Sequence, residues 1–223
     1  MLILRELLFY PNSKFTQLNI QGLTSDHFSY HINVLMDLGY VSKDDGKYSL
    51  TPKGKEFANQ MDTDMTEIEK QPKIAVMVVA KRMRDGNVQV LVQERTKEPY
   101  YGYKGFITGK IRFGERVIET AQRELKEESG LDCEDFQIKR IVHNFVRLTT
   151  TGELVEDKMF YIVVANEPTG DIVDTMNGKN EWVTVAEFAD LDKKYYDEDN
   201  IFKYAMEEGE MDFAEESFFV EEF

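Results

Sequence analysis

The chain has 223 residues and a formal charge of −15, with 42% hydrophobic and 31% charged residues. This composition is typical of a globular protein with one large or two modest domains, and the acidic balance excludes a protein that coats nucleic acid with its whole surface. The single cysteine, Cys133, excludes an internal disulfide, and we therefore expect a reducing, cytoplasmic setting.

The apolar segments are too short for a signal peptide or a membrane span. Arg5 and Glu6 interrupt the apolar start of the chain at once, and the strongest apolar run, residues 74–80, ends at Lys81. We therefore expect neither a signal peptide nor a membrane partner.

Residues 1–61 have the pattern of a small helical domain with a β-hairpin. Helices are predicted near residues 2–10 and 14–20, from Ser25 to Gly39 and from Thr51 onward, and a hairpin with its turn at residues 43–47 precedes the last helix. This order resembles the winged helix-turn-helix domains of bacterial regulators. These residues include six basic and six acidic side chains, and the third helix has no Lys or Arg, so we expect weak or absent DNA binding. Dimerisation, as a homodimer, or substrate selection are alternative roles for this domain.

The remainder of the chain divides into three segments by composition. Residues 62–72 are polar and end in Pro72, which predicts a linker. Residues 73–190 contain several strand-like runs around one clear helix, at about residues 116–129 and ended by Gly130, which predicts an α/β domain. Residues 191–223 mix acidic and phenylalanine residues, and we expect them to form an acidic helical tail.

The clear helix has one acidic face and one apolar face. Glu124, Glu127 and Glu128 are spaced i, i+3 and i+4, so their carboxylates project from the same side, and Arg123 can pair with Glu127. Apolar residues on another side allow packing against a sheet. Two interpretations fit the three carboxylates: a solvated acidic surface, or ligands for a hard cation such as Mg²⁺.

The longer motif around this helix favours the interpretation of the three carboxylates as metal ligands. Gly109 is followed after five residues by Glu115, and after seven more by Arg123-Glu124-Leu125-x-Glu127-Glu128-x-Gly130-Leu131. This string resembles the Nudix box at every specified position. The resemblance implies the Nudix α/β/α sandwich over residues 73–190 and a Mg²⁺- or Mn²⁺-dependent hydrolase that cleaves a diphosphate linkage in a nucleotide-like substrate. The alternative is a nucleotide-sensing transcription regulator that binds DNA through residues 1–61.

The same resemblance implies roles for individual residues. The expected metal ligands are the carboxylates of Glu124, Glu127 and Glu128, with the Gly109 carbonyl. Expected catalytic residues are Glu115, Arg123, Glu127, Glu128 and Glu181, with Glu115 and Arg123 as an orienting pair and the general base open among the other three. Expected substrate contacts are Arg95 and Lys110. Ile107 and Thr108 depart from the common Pro-Gly-Gly form before the box, so no substrate class can be carried over.

Overall fold

The structure is a computed structural model that describes residues 1–20, 22–62 and 67–221. Residues 63–66 of the expected linker and 222–223 of the expected tail lie outside the described residues. The chain divides into two compact units, one up to Gln71 and the other from Pro72 onward. In the described ranges, no helix is both long and apolar enough to cross a membrane.

The first unit consists of short helices packed on a small sheet. Its elements are α1 (Leu2–Phe9), β1 (Ser13–Lys14), α2 (Phe15–Leu18), α3 (Ser25–Asp37), β2 (Val41–Asp44), β3 (Lys47–Leu50), α4 (Pro52–Ala58), β4 (Met61–Asp62) and β5 (Glu67–Ile68). The predicted helices and hairpin are present, and β1 adds a third strand on the free side of β3. Leu4, Phe28 and Ile32 are among the buried residues that hold the helices together. Strands β4 and β5 pair with each other, so the expected linker contains a short β-ladder.

The second unit is built on one large sheet. Its elements are β6 (Lys73–Arg84), β7 (Asn87–Arg95), β8 (Lys104–Gly105), β9 (Ile107–Lys110), α5 (Val117–Ser129), β10 (Asp135–Leu148), β11 (Leu154–Asn166), β12 (Gly178–Thr184), α6 (Val185–Ala189), α7 (Glu198–Met206) and β13 (Asp212–Val220). The strand order is β12-β7-β6-β11-β10-β13, with β8 paired to β7 and β9 paired to β6. The β6–β11 and β10–β13 pairs are parallel, and the other pairs are antiparallel.

Both faces of this sheet are covered. Because side chains alternate along a strand, Val76 and Val78 of β6 face a core that includes α5, while Met77 and Val79 face a second core that includes α6 and α7. The central strand is therefore apolar on both sides, as is typical of a sheet between helical layers. This arrangement confirms the predicted α/β/α sandwich.

Helix α5 is fixed to the sheet by its apolar side. Ala121 and Leu125 are fully buried in the core beneath it. The Glu119 carboxylate accepts a hydrogen bond from the backbone N–H of Arg116, and the helix ends at Gly130 in the left-handed conformation with φ of 78°. The predicted helix is confirmed, and its acidic side is presented from a rigid support.

The expected helical tail is wrong for residues 212–220. Helix α7 is present, but the chain then forms β13, which adds to the edge of the sheet beside β10. An ion pair between Arg140 and Asp212 and the contact of the Phe218 ring with the Tyr196 ring, whose centroids are 4.7 Å apart, fix this strand. Pairing with β10 outweighs the helix propensity of the glutamates, because tertiary contacts readily override local preference.

Candidate active site

Arg123 organises the exposed side of α5. Its Nε and Nη2 donate to the two carboxylate oxygens of Glu115 at 2.6 and 2.8 Å, which is a bidentate pair. Its Nη1 donates to Glu124 at 2.5 Å and to Glu127 at 3.3 Å. The predicted pairing of Arg123 with Glu115 and with Glu127 is therefore confirmed, and one planar guanidinium fixes three carboxylates at once.

Glu115 is held from several directions in the loop before α5. Besides Arg123, the Arg112 backbone N–H and the Thr120 hydroxyl donate to its Oε2, at 3.1 and 2.8 Å. The hydrogen bonds from Arg123 lower the pKa of Glu115 to about 2, and those from Arg112 and Thr120 add to this effect. Glu115 is therefore a firmly ionised anchor for the guanidinium.

Glu124 lies directly against Gly109 of β9. A methyl group on Gly109 would come within 1.9 Å of the Glu124 carboxyl carbon, so only glycine allows this approach. Burial raises the pKa of Glu124, the negative charges of Glu127 and Glu128 raise it further, and Arg123 opposes them. An additional cation beside this carboxylate would therefore stabilise its charged form.

Glu127 and Glu128 point into different surroundings. The Glu127 side chain is half exposed, and its second cationic neighbour is Arg112 at 3.6 Å. Glu128 instead accepts hydrogen bonds from the Asn177 amide at 2.7 Å and the Gln93 amide at 3.3 Å.

The amides around Glu128 were missed by the sequence interpretation. Asn180 completes this group, since its Nδ2 donates to the backbone carbonyl of Glu128 at 2.7 Å. Isolated Asn and Gln residues far along the chain from the box carry no signal in a single sequence.

The donor set fits a hard divalent cation. Gly109 and Glu124 are in contact, Glu127 and Glu128 follow on the same helix, and all of them offer the oxygen ligands that Mg²⁺ and Mn²⁺ prefer. In the conformation described for residues 1–20, 22–62 and 67–221, no three acidic, His or Cys side chains converge closely enough to hold a metal ion. The contacts explain this arrangement. Arg123 binds Glu124 and Glu127, while the amides of Asn177 and Gln93 bind Glu128.

Glu181 is not brought to this group. On β12, Asn180 and Trp182 face α5, so the alternation of the strand directs Glu181 to the opposite face together with Val183. There Glu181 pairs with Lys104 at 3.2 Å and remains half exposed. A catalytic role for Glu181 at the box has no geometric support.

The two expected substrate contacts lie at strand ends. The Arg95 guanidinium, at the end of β7, donates to the backbone carbonyls of Lys97 and Pro99 at 2.9 and 2.6 Å, so it supports a loop. Lys110, at the end of β9, has an exposed side chain, and its backbone carbonyl accepts from Arg123 at 3.3 Å. The Lys110 backbone therefore lies against the guanidinium that orders the carboxylates.

The depressed pKa of Glu115 leads to a prediction about acid stability. Its folded-state pKa, about 2, lies below the ordinary value of 4.5, so its stabilising effect is present above pH 4.5 and is lost as the pH falls towards 2. We expect Glu115→Gln to lower the thermal unfolding midpoint clearly at pH 7, and the gap from the wild type to shrink as the pH falls from 5 to 3. Thermal unfolding followed by circular dichroism in metal-free buffer measures the gap, with exposed Glu153→Gln as the control. A gap that stays constant over this range would contradict the assignment.

An α/β/α sandwich that presents glutamates ordered by an arginine, next to a strand glycine, defines a Nudix-type domain. The family model described as NUDIX domain matches residues 71–204, well over half of the chain, and the chain belongs to the NUDIX family. A second family model, described as winged helix-turn-helix, matches residues 11–70. No curated protein matches the chain.

Solved structures are similar in fold. The NUDIX domain of Shewanella oneidensis NrtR, complexed with ADP ribose, is 16% identical with a TM-score of 0.55, and the match covers 70% of this chain and 97% of that one. The MutT protein from Bacillus halodurans is 24% identical with a TM-score of 0.51, with 60% and 83% covered. At these identities the similarity establishes the fold alone.

Proposed function

We propose that the chain is a metal-dependent hydrolase that cleaves a diphosphate linkage in a nucleoside-diphosphate-linked substrate by attack of water at phosphorus. The observation that supports this most is the row of carboxylates on α5, ordered by Arg123 and packed against Gly109. A set of oxygen ligands on a helix whose apolar side is anchored in the core is what a phosphate-bound divalent cation requires.

The proposal assigns separate roles to the metal ligands and to the group that accepts a proton. Gly109, Glu124, Glu127 and Glu128 would hold Mg²⁺ or Mn²⁺, which neutralises phosphate charge and lowers the pKa of water. Glu127 is the most exposed of the three carboxylates, and we assign it to accept the proton of the attacking water. Water adds its oxygen to phosphorus, and the bond from phosphorus to the bridging oxygen breaks.

The remaining box residues orient these groups. Arg123, anchored by Glu115, keeps Glu124 and Glu127 in place, and the amide of Asn177 does the same for Glu128. Lys110 is exposed beside Gly109, and we assign it to contact a substrate phosphate. Arg95 contributes by supporting the loop at residues 97–99.

Product release from a panel of diphosphates tests the proposal. The panel contains nucleoside triphosphates, nucleotide sugars, dinucleotides and ADP-ribose, each with Mg²⁺ or Mn²⁺. We expect cleavage of one class, and we expect Glu127→Gln to lower the rate of that cleavage at least about 100-fold. Loss of a residue that only supports a metal ligand costs up to about 100-fold, so loss of a ligand itself should cost at least as much. Glu153→Gln, an exposed change in the turn between β10 and β11, should retain full activity. Tight metal-dependent binding of one member with no turnover of any would favour the sensor function instead.

The winged helix-turn-helix match supports a second candidate, a regulator that senses a nucleotide and binds DNA. The charge distribution of the first unit argues against it, since α3 has no Lys or Arg and exposes His27, Tyr30 and His31. DNA affinity depends on neutralising phosphates with basic side chains.

We therefore expect no sequence-specific binding of duplex DNA by the full chain. A mobility-shift assay with a pool of random duplexes at low and physiological salt measures this. Selection of one sequence, with affinity that falls steeply as salt rises, would contradict the expectation and support the regulator.

A further inference from the structure

Two histidines lie side by side on the exposed surface of α3 in the first unit. His27 and His31 are four residues apart on this helix, both side chains are exposed, and their ring centroids are 5.6 Å apart. Among the residues that the structure describes, neither ring makes a hydrogen bond or an ion pair. The third histidine of the chain, His143, instead pairs with Asp157 at 2.7 Å. The fold therefore makes no polar use of the two histidines on α3.

The spacing of the two rings fits one shared metal ion. Two imidazoles that each bind one Zn²⁺ at about 2.0–2.1 Å, at a tetrahedral angle, have ring centres roughly 5 Å apart. The observed 5.6 Å is close to this value, and small rotations of two exposed side chains can close the difference. Histidines four residues apart on one helix bind zinc in metalloprotease helices for the same reason. Imidazole suits Zn²⁺, Cu²⁺ or Ni²⁺, whereas the carboxylates of α5 suit Mg²⁺ or Mn²⁺.

The pair by itself supplies only half of a tetrahedral site. Structural zinc sites almost always have four protein ligands. In the described part of the chain, no third acidic, His or Cys side chain lies close enough to complete the site. A second copy of the chain, related by a two-fold axis through the ion, brings the same two histidines. Four imidazoles would then complete the coordination.

The distribution of charge favours contact between two copies at the first unit. Residues 1–61 have six basic and six acidic side chains and thus no net formal charge, whereas the whole chain has a charge of −15. Two copies that met through their second units would bring strongly acidic surfaces together, and the first unit avoids this repulsion. Helix α3 contains Asp26 and Asp37 but no Lys or Arg, so its own charge attracts a cation.

An exposed apolar stripe continues from the histidines along α3. Val34 follows His31 by three residues and Leu38 follows Val34 by four, so these side chains lie on the same side of the helix. Val34 is 36% exposed, Leu38 is 50% exposed, and the exposed Tyr30 ring stands edge-on to the His31 ring with centroids 5.5 Å apart. A copy seated over the histidines would cover part of this stripe, and removal of apolar surface from water stabilises such a contact.

We propose that His27 and His31 bind a late first-row divalent ion such as Zn²⁺, and that the same residues of a second copy complete its coordination. The ion thereby joins two chains through α3. This site is separate from the carboxylates of α5 in both position and metal preference, so the inference stands whether or not the chain hydrolyses diphosphates. It also gives a function to a helix that lacks the basic residues needed to bind DNA.

The mass of the full chain in solution tests the proposal. Light scattering after gel filtration is measured in EDTA, in excess Mg²⁺, and in excess Mg²⁺ with added Zn²⁺, where the Mg²⁺ serves to saturate the carboxylates of α5. We expect the mass to double only when Zn²⁺ is present, and EDTA to reverse the change. A mass that does not change with Zn²⁺ would overturn the proposal.

Substitution of each histidine identifies the ligands. His27→Gln and His31→Gln should each abolish the doubling and weaken Zn²⁺ binding at least about 10-fold, since even the loss of a residue that supports a ligand costs about this much. Because both rings are exposed and make no hydrogen bonds, the unfolding midpoints in EDTA should match the wild type. His143→Gln, the matched control, should retain the doubling. Doubling that persists in both α3 variants would overturn the proposal.

The number of ions bound separates a bridging ion from one held by a single chain. Titration calorimetry with Zn²⁺ in excess Mg²⁺ compares the wild type with the double variant that carries both α3 substitutions. The binding lost in the double variant should amount to one ion per two chains. A loss of one ion per chain would mean that water or other groups of the same chain complete the site, and it would overturn the bridge between copies.

Discussion

Gly109→Ala should lower metal-dependent turnover by about 100-fold while changing stability little. The added methyl group would lie 1.9 Å from the carboxyl carbon of Glu124, which must move. The end of a glutamate side chain can move at small cost, but a displacement of about 1 Å at a reacting centre can reduce the rate by about 100-fold. Steady-state turnover and the unfolding midpoint, measured on the same preparations, test both parts.

Gly86→Ala provides the matched control for this substitution. Gly86 lies in the β6–β7 turn with φ of 76° and open space around it, so alanine there costs about 1–2 kcal/mol of backbone strain without contact to the box. We expect it to lose stability and retain activity, the opposite of Gly109→Ala. Turnover of Gly109→Ala within about 3-fold of the wild type would remove Glu124 from the proposed site.

Arg123→Lys should lower metal affinity or turnover by about 10- to 100-fold. Lysine keeps the positive charge but cannot reproduce the bidentate pair with Glu115 and the simultaneous bonds to Glu124 and Glu127. Turnover as a function of Mg²⁺ concentration separates a loss of metal affinity from a loss of maximal rate.

Arg112→Lys is the control for the arginine at position 123. Its guanidinium makes one long contact, 3.6 Å to Glu127, and is mostly exposed. An exposed pair of this kind contributes little, so we expect less than about a 3-fold effect. Equal losses in the two variants would show that positive charge, and not the planar geometry of Arg123, is what the box requires.

Features set by local spacing could be predicted from the sequence. The positions of Arg123 and Glu127 on one helix determine their contact, and Gly130 marks the end of that helix. The apolar run at residues 74–80 likewise indicated a strand, because a strand pattern extends over neighbouring residues. The pair of Glu115 with Arg123 was implied by the resemblance to the Nudix box.

Features set by contacts between distant segments could not be predicted. The partners of Glu128 come from β7 and from the segment before β12, and β13 formed because the edge of β10 was available to pair. Glu181 was expected among the catalytic residues, but the face of the sheet to which its side chain points depends on the register of β12. The burial of Asp197 and Glu198 also depends on such contacts, because α7 packs against one face of the sheet.

Hydrolysis in ¹⁸O-labelled water tests the central claim most directly. The member of the panel that is cleaved is incubated with Mg²⁺ in labelled water, and both products are analysed by mass spectrometry. We expect one ¹⁸O atom per cleaved linkage, located in a phosphate group of one product. If no member is cleaved although one binds with Mg²⁺, or if the label appears on carbon, then water attack at phosphorus by this chain is refuted.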